Sequence, residues 1–213
     1  MMPSPTVTMR RSRAILVFWS ILLSSPAGLD AEDQPVTEQH FSVETPAELP
    51  PAEAEAIYSR IIDDMVDAYV LSQDPSAIDY RRWKRFNSAP YPSATHGSRY
   101  VNNYGNGLAR DYTRPDKLEA MPEGAVLAKD SFAVTSEGDV FLGPLFLMEK
   151  MAPGFNPKSR NWRYSMIMPD GSFFGITGGD NDARVRFCIT CHEAAGDEND
   201  HLFFVPEDYR IGD

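Results

Sequence analysis

Ala125-Val126-Leu127-Ala128-Lys129-Asp130-Ser131-Phe132-Ala133-Val134-Thr135, the turn Ser136-Glu137-Gly138, and the run from Asp139 to Lys150 decide the fold. Two runs rich in β-branched, aromatic and other apolar residues flank a short turn signal, which predicts an antiparallel hairpin. The pattern recurs downstream, where Trp162 to Met168 and Ser172 to Thr177 flank Pro169-Asp170-Gly171. From Arg99 to Thr177 the chain therefore reads as strands, with two hairpins in one sheet. Upstream, Ala52 to Ser72 places Ile57, Ile61, Met65 and Ala68 at three- and four-residue spacing, with Tyr58, Ile62, Val66 and Tyr69 alongside. That is the period of an amphipathic helix. Asp74-Pro75 stops it, and Ile78 to Phe86 predicts a second helical segment with Tyr80, Trp83 and Phe86 inward. Gly178-Gly179-Asp180 ends the strand region, and Ala183 to Ala195 suits a last helix. The expected fold is α+β: an antiparallel sheet of about four or five strands with flanking helices, one of them C-terminal.

Outside this region the chain reads differently. Arg10, Arg11 and Arg13 precede an apolar run from Ala14 to Leu23 and then small residues to Ala31, the three-part layout of a secretory signal. The apolar run has about half the ~20 residues needed to span a bilayer, so residues 1–31 read as a cleaved signal and the protein as periplasmic or otherwise exported, with no stable membrane span. Residues 32–51, rich in Glu, Pro, Thr and Gln, read as a disordered acidic leader, and 52–213 as one folded domain. The formal charge of −11 repels a phosphate backbone, and no basic stripe interleaved with aromatics occurs, which excludes nucleic acid as a partner.

Both cysteines of the chain lie in one pentapeptide, Cys188-Ile189-Thr190-Cys191-His192. With no second pair there is no disulfide framework, so the cysteines serve one site. The spacing suits two thioether bonds to the vinyl groups of a haem, with His192 brought under the iron from the same turn. A thioredoxin-like pair would open a helix early in a βαβ unit, and a zinc site would need further ligands at metal spacing; neither context is present. One covalent haem c, with Cys188, Cys191 and His192 as its residues, is the reading. Only 21 residues follow His192 and none is Met, so any sixth ligand must come from Met148, Met151, Met166, Met168, His40 or His96. Each of these is more often core or surface than ligand, which favours an open iron and small-molecule chemistry.

The sequence resembles the cytochrome P-460 family, whose relatives include the β-type cytochromes c prime. The resemblance rests on Tyr80-Arg81-x-Trp83, Val126-Leu127-Ala128-Lys129-Asp130-Ser131-Phe132, Gly143-Pro144-Leu145-Phe146 leading to Glu149, Trp162-Arg163-Tyr164 and the C-terminal haem motif, and covers roughly Ala77 to Arg210. It implies that Lys129 stands where hydroxylamine-oxidising members carry a lysine bonded to the haem macrocycle, and that Glu149 matches a strand glutamate above the iron that handles protons. It also implies a homodimer and a redox partner protein that receives the electrons. Three functions follow from it: an oxidoreductase acting on hydroxylamine or another small nitrogen compound, a nitric oxide or gas-binding cytochrome, and an electron-transfer cytochrome. Lys129 favours the first over the second, because no lysine is required to bind a gas.

Overall fold

A computed structural model describes residues 42–211 except Pro115 and Lys117. The expected signal segment and residues 32–41 of the expected leader lie outside the described residues.

Helix α1 (Pro51–Val70) carries proline at its first position, where a missing N–H costs nothing, and Glu53 in its first turn. Its buried residues, Ala54, Ile57, Tyr58, Ile62, Met65 and Tyr69, form the stripe that the spacing predicts. Asp74 does more than end this helix: its Oδ1 accepts hydrogen bonds from the Ser76 and Ala77 N–H groups, capping α2 (Pro75–Asp79). The second helical segment is shorter than expected. After α2 a 3₁₀ turn runs only to Arg82, and Trp83 is already extended, because the chain pairs at once as strand β1 (Lys84–Arg85).

Among the described residues eight strands form one antiparallel sheet. They are β1, β2 (Tyr91–Ser93), β3 (Arg99–Gly105), β4 (Val126–Val134), β5 (Val140–Leu142), β6 (Leu145–Lys150), β7 (Trp162–Ile167) and β8 (Phe173–Ile176). The main order is β1-β3-β4-β6-β7-β8, with β2 on β3 and β5 on β4. The α+β class and the antiparallel sheet are as expected, but the strands exceed the four or five foreseen. Strands β1, β2 and β5 have two or three residues each, too few to show a period. The run Asp139 to Lys150 also splits in two. At Gly143-Pro144 the proline offers no N–H to a ladder, and a Cβ on Gly143 would lie 2.3 Å from Ser131 Oγ. Both halves nevertheless pair with β4.

The pleat of β4 sorts the chain into two layers. Ala128, Phe132 and Val134 face α1 with Tyr100, Tyr104, Leu145, Leu147 and Ile167. Leu127 faces the other way with Val101, Tyr112, Trp162, Tyr164 and Leu202. On the α1 side Asp130 is fully buried and accepts hydrogen bonds from Tyr58 Oη at 2.6 Å and Asn102 Nδ2 at 3.0 Å. Residues 42–50 correct the reading of 32–51 as a disordered leader. The Ala47 N–H donates to Val134 O at 2.8 Å, and Tyr100 Oη donates to Ala47 O at 2.9 Å. The segment lacks an apolar period because its backbone, rather than its side chains, docks it.

Phe132 is fully buried, with ring centroids 6.1 Å from Tyr58 and 5.5 Å from Tyr100. Phe132→Ala is expected to cost about 3–5 kcal/mol of stability, read as a lower urea midpoint at unchanged slope.

Candidate functional site

The pentapeptide lies in α3 (Arg186–Glu193), entered through a 3₁₀ turn at Asp182–Val185 and closed before Gly196, whose φ is +85°. Helical spacing puts Cys188, Cys191 and His192 on one face. No residue of α3 is buried. Its inner face, with Phe187, forms one wall of a cleft of about 920 Å³ that is open at its mouth. The opposite wall is the sheet, through Asn103, Leu127, Lys129, Phe146, Met148 and Tyr164.

His192 is held in one protonation state and one orientation. Its Nδ1–H donates to His201 O at 2.9 Å, and the ring sits 5.1 Å from Tyr164 and 5.5 Å from Phe203. Burial, with the nearby Lys129 and His201 adding to it, pushes its pKa down to about 4 despite the backbone hydrogen bond. A neutral ring bonded through Nδ1–H leaves Nε2 as a lone pair, the form a metal-binding histidine needs.

The carbonyl that orients His192 is anchored in turn by Asp200, which is fully buried. Its carboxylate accepts from Lys150 Nζ at 2.5 Å, Arg160 Nε at 3.2 Å and the Met121 N–H at 2.9 Å. Its carbonyl accepts from Trp162 Nε1 at 2.8 Å. Asp200 and His201 both sit at positive φ, +52° and +60°, a conformation that this network holds in place. Sequence reasoning missed the Lys150–Asp200 pair, since its members lie 50 residues apart and nothing local couples them.

Lys129 projects from β4 into the same cleft. Burial pulls its pKa down to about 8, opposed by Cys191. Its Nζ lies 3.4 Å from His96 Nε2. The structure thus brings together Cys188, Cys191, His192 and Lys129.

Glu149 is not among the residues lining the cleft. On β6 it alternates with Met148, sharing the face of Leu147 while Met148 turns to the cleft, and it is ion-paired with Arg163, its register partner on β7. This carboxylate, expected above the iron, is held instead in an ion pair with Arg163 and is absent from the cleft lining. Of the other candidate ligands, Met148 and His96 line the cleft, whereas Met151, Met166 and Met168 do not, and His40 lies outside the described residues.

Three observations fit these residues to a haem: a helix whose inner face has nothing packed to burial, a cleft that is chiefly apolar, and Tyr164 Oη, buried in its wall without a hydrogen-bond partner. A polar atom so placed is costly unless something meets it. His192, Cys188 and Cys191 would hold the group.

Comparison with known proteins agrees with this geometry. The sequence model of one family, described as Cytochrome P460, matches residues 77–204. A search of curated proteins finds no match.

Below pH 8 Lys129 is protonated both in the fold and in the unfolded chain, whose pKa is near 10.5. Above 8 the fold releases the proton first, so the unfolded state binds more protons and stability rises up to about pH 10.5. Lys129→Met in the haem-free chain should lose that rise in a urea titration repeated across this range.

Proposed function

The family's sequence model spans more than half of the 213 residues, so the chain belongs to the Cytochrome P460 family, and we propose that it is an exported cytochrome that oxidises hydroxylamine or a related small nitrogen compound at one covalently held haem c. The observation that carries the reading is the meeting of Lys129 with the Cys188, Cys191 and His192 face in a single apolar cleft.

When bound, the haem supplies an iron that can take a small nitrogen ligand and pass electrons to an acceptor. The chain's residues do the rest. The Cys188 and Cys191 thiols would hold the group by adding across its vinyl groups, each giving its hydrogen to the neighbouring carbon, so attachment would need no oxidant. His192, neutral and fixed through Nδ1–H to His201 O, would hold the iron through its free Nε2 lone pair. Phe146, Leu127, Phe187 and Leu202 give the cleft apolar walls. Lys129, with its lowered pKa, is an amine readily freed of its proton, and its position in the cleft wall supports the reading that it would bond the macrocycle. Joining an amine nitrogen to a ring carbon removes two hydrogens, so that bond forms only with a two-electron oxidant such as a peroxide. Glu149, ion-paired on the far face of the sheet, has no part in this scheme.

Export rests on the basic, apolar and small-residue layout of residues 1–31. No helix among the described residues is long and apolar enough to cross a membrane. A basic redox protein would be drawn to the acidic surface to collect the electrons. Exposed Val140 and Phe141 on β5, which among the described strands pairs only with β4, give a second copy an apolar edge to meet.

The test is mass spectrometry of the proteolysed haem-loaded protein together with hydroxylamine turnover. A haem peptide spanning Cys188 to His192 and joined to the Lys129 peptide is expected, with turnover that Lys129→Met reduces at least about tenfold. Haem on both cysteines with neither link nor turnover would instead assign the cleft to gas binding.

A further inference from the structure

A second nitrogen base stands in the cleft, and the reading above leaves it unused. His96 ends the 3₁₀ turn Ala94–His96 in the connection between β2 and β3. The next two residues, Gly97 and Ser98, both have positive φ, +74° and +55°, and turn the chain back into β3. The ring is fixed on three sides. It meets Phe146 edge-on at 4.9 Å, its Nδ1 lies 2.8 Å from Ser93 Oγ, and its Nε2 lies 3.4 Å from Lys129 Nζ. A protonated lysine can only donate, so Nε2 is the acceptor nitrogen and Nδ1 carries the proton toward Ser93.

The other polar side chains of the cleft are committed or unsuited to take a proton. Asn103 Nδ2 donates to Tyr112 Oη, which donates to Phe203 O. Tyr164 is a phenol whose pKa burial raises further, so it holds its own proton. Lys129 and His192 are the titratable groups that face His96, and among the described residues no carboxylate lines the cleft. His192 would be committed to the haem through Nε2, its Nδ1 being bonded to His201 O.

We propose that His96 is a catalytic residue, the group that accepts the proton shed when a protic ligand of the hydroxylamine class binds in this cleft. The inference rests on the haem-bearing reading above. In this step the ligand's X–H bond would break, its proton would move to His96 Nε2, and the conjugate base would stay in the cleft; no electron is transferred. The imidazolium then returns its proton to solvent at the mouth of the cleft. A Lys129 nitrogen bonded to the macrocycle is no longer an ammonium, so the cation that opposes a charged His96 is removed.

Cyanide is the probe that reads this step without turnover, because hydrogen cyanide loses a proton on binding ferric haem. Nitric oxide, which loses none, reports access alone. Stopped-flow binding would be measured on the haem-loaded full chain, on His96→Gln and on His96→Asn, both of which keep hydrogen-bonding groups but no proton affinity. Cyanide association is expected to slow on the order of 100-fold in both variants, as for loss of a general base, with nitric oxide association unchanged. Unchanged cyanide binding would overturn the proposal, as would equal changes for the two ligands, which would make His96 a steric wall or an axial ligand. Slowed cyanide binding in a protein that does not oxidise hydroxylamine would leave His96 as the proton acceptor and overturn only the assigned substrate. Normal cyanide binding in variants of a protein that does oxidise it would overturn His96 alone.

Discussion

The alternation of Lys129 and Asp130 along β4 is the constraint on which the rest of the structure depends. Successive residues of a strand point to opposite faces, so a strand buried on both sides cannot place two adjacent charges in one environment. Asp130 goes to the α1 layer, where a fully buried carboxylate survives only because it is hydrogen-bonded. Tyr58 and Asn102 supply the bonds, and Arg81 and Arg85 oppose the rise in its pKa that burial causes. Lys129 goes to the cleft, where no carboxylate faces it and burial lowers its pKa instead. Exchanging the two would remove the polar hub under α1 and put an anion where the macrocycle is to lie.

A similar economy holds on the other wall. Helix α3 is only partly buried, and the ring contacts of His192 with Tyr164 and Phe203 hold it loosely in the wall without fixing which way its nitrogens point. Its position comes from the turn that follows, through one hydrogen bond to His201 O, and that turn is strained, with two non-glycine residues at positive φ. The buried Lys150–Asp200 pair holds it. Removing one partner of such a pair leaves an uncompensated charge, a cost of about 3–5 kcal/mol, whereas the pair itself adds little net stability. Its contribution is therefore better seen in the placing of His192 than in stability.

Much of this was legible in the sequence. The haem motif was readable because helical spacing alone decides which of its residues share a face. The long strands and α1 were readable because their periods run over enough residues to be counted. The short strands β1, β2 and β5 were not, and the docking of residues 42–50 was not, since backbone hydrogen bonds leave no mark on composition. Glu149 shows the limit most clearly. On β6 both alternating sets, Leu145 and Leu147 on one side and Phe146 and Met148 on the other, are apolar, so the pattern cannot say which side the glutamate joins. Only the register Val126↔Glu149 and Leu127↔Met148 against β4 decides it, and a register is a tertiary fact.

That same register explains the chemistry left to the cleft. With Glu149 and Asp130 both assigned to the α1 face, the haem-facing side of the sheet retains nitrogen bases and phenols and no carboxylate. Burial disfavours charge on either nitrogen base, drawing Lys129 and His96 toward their neutral forms, in which each has a lone pair to offer. A pocket of this kind leaves a neutral nitrogen lone pair free to meet a small ligand that must lose a proton, which a charged ammonium could not do. The selection is set by strand parity, before any contact with a ligand is made.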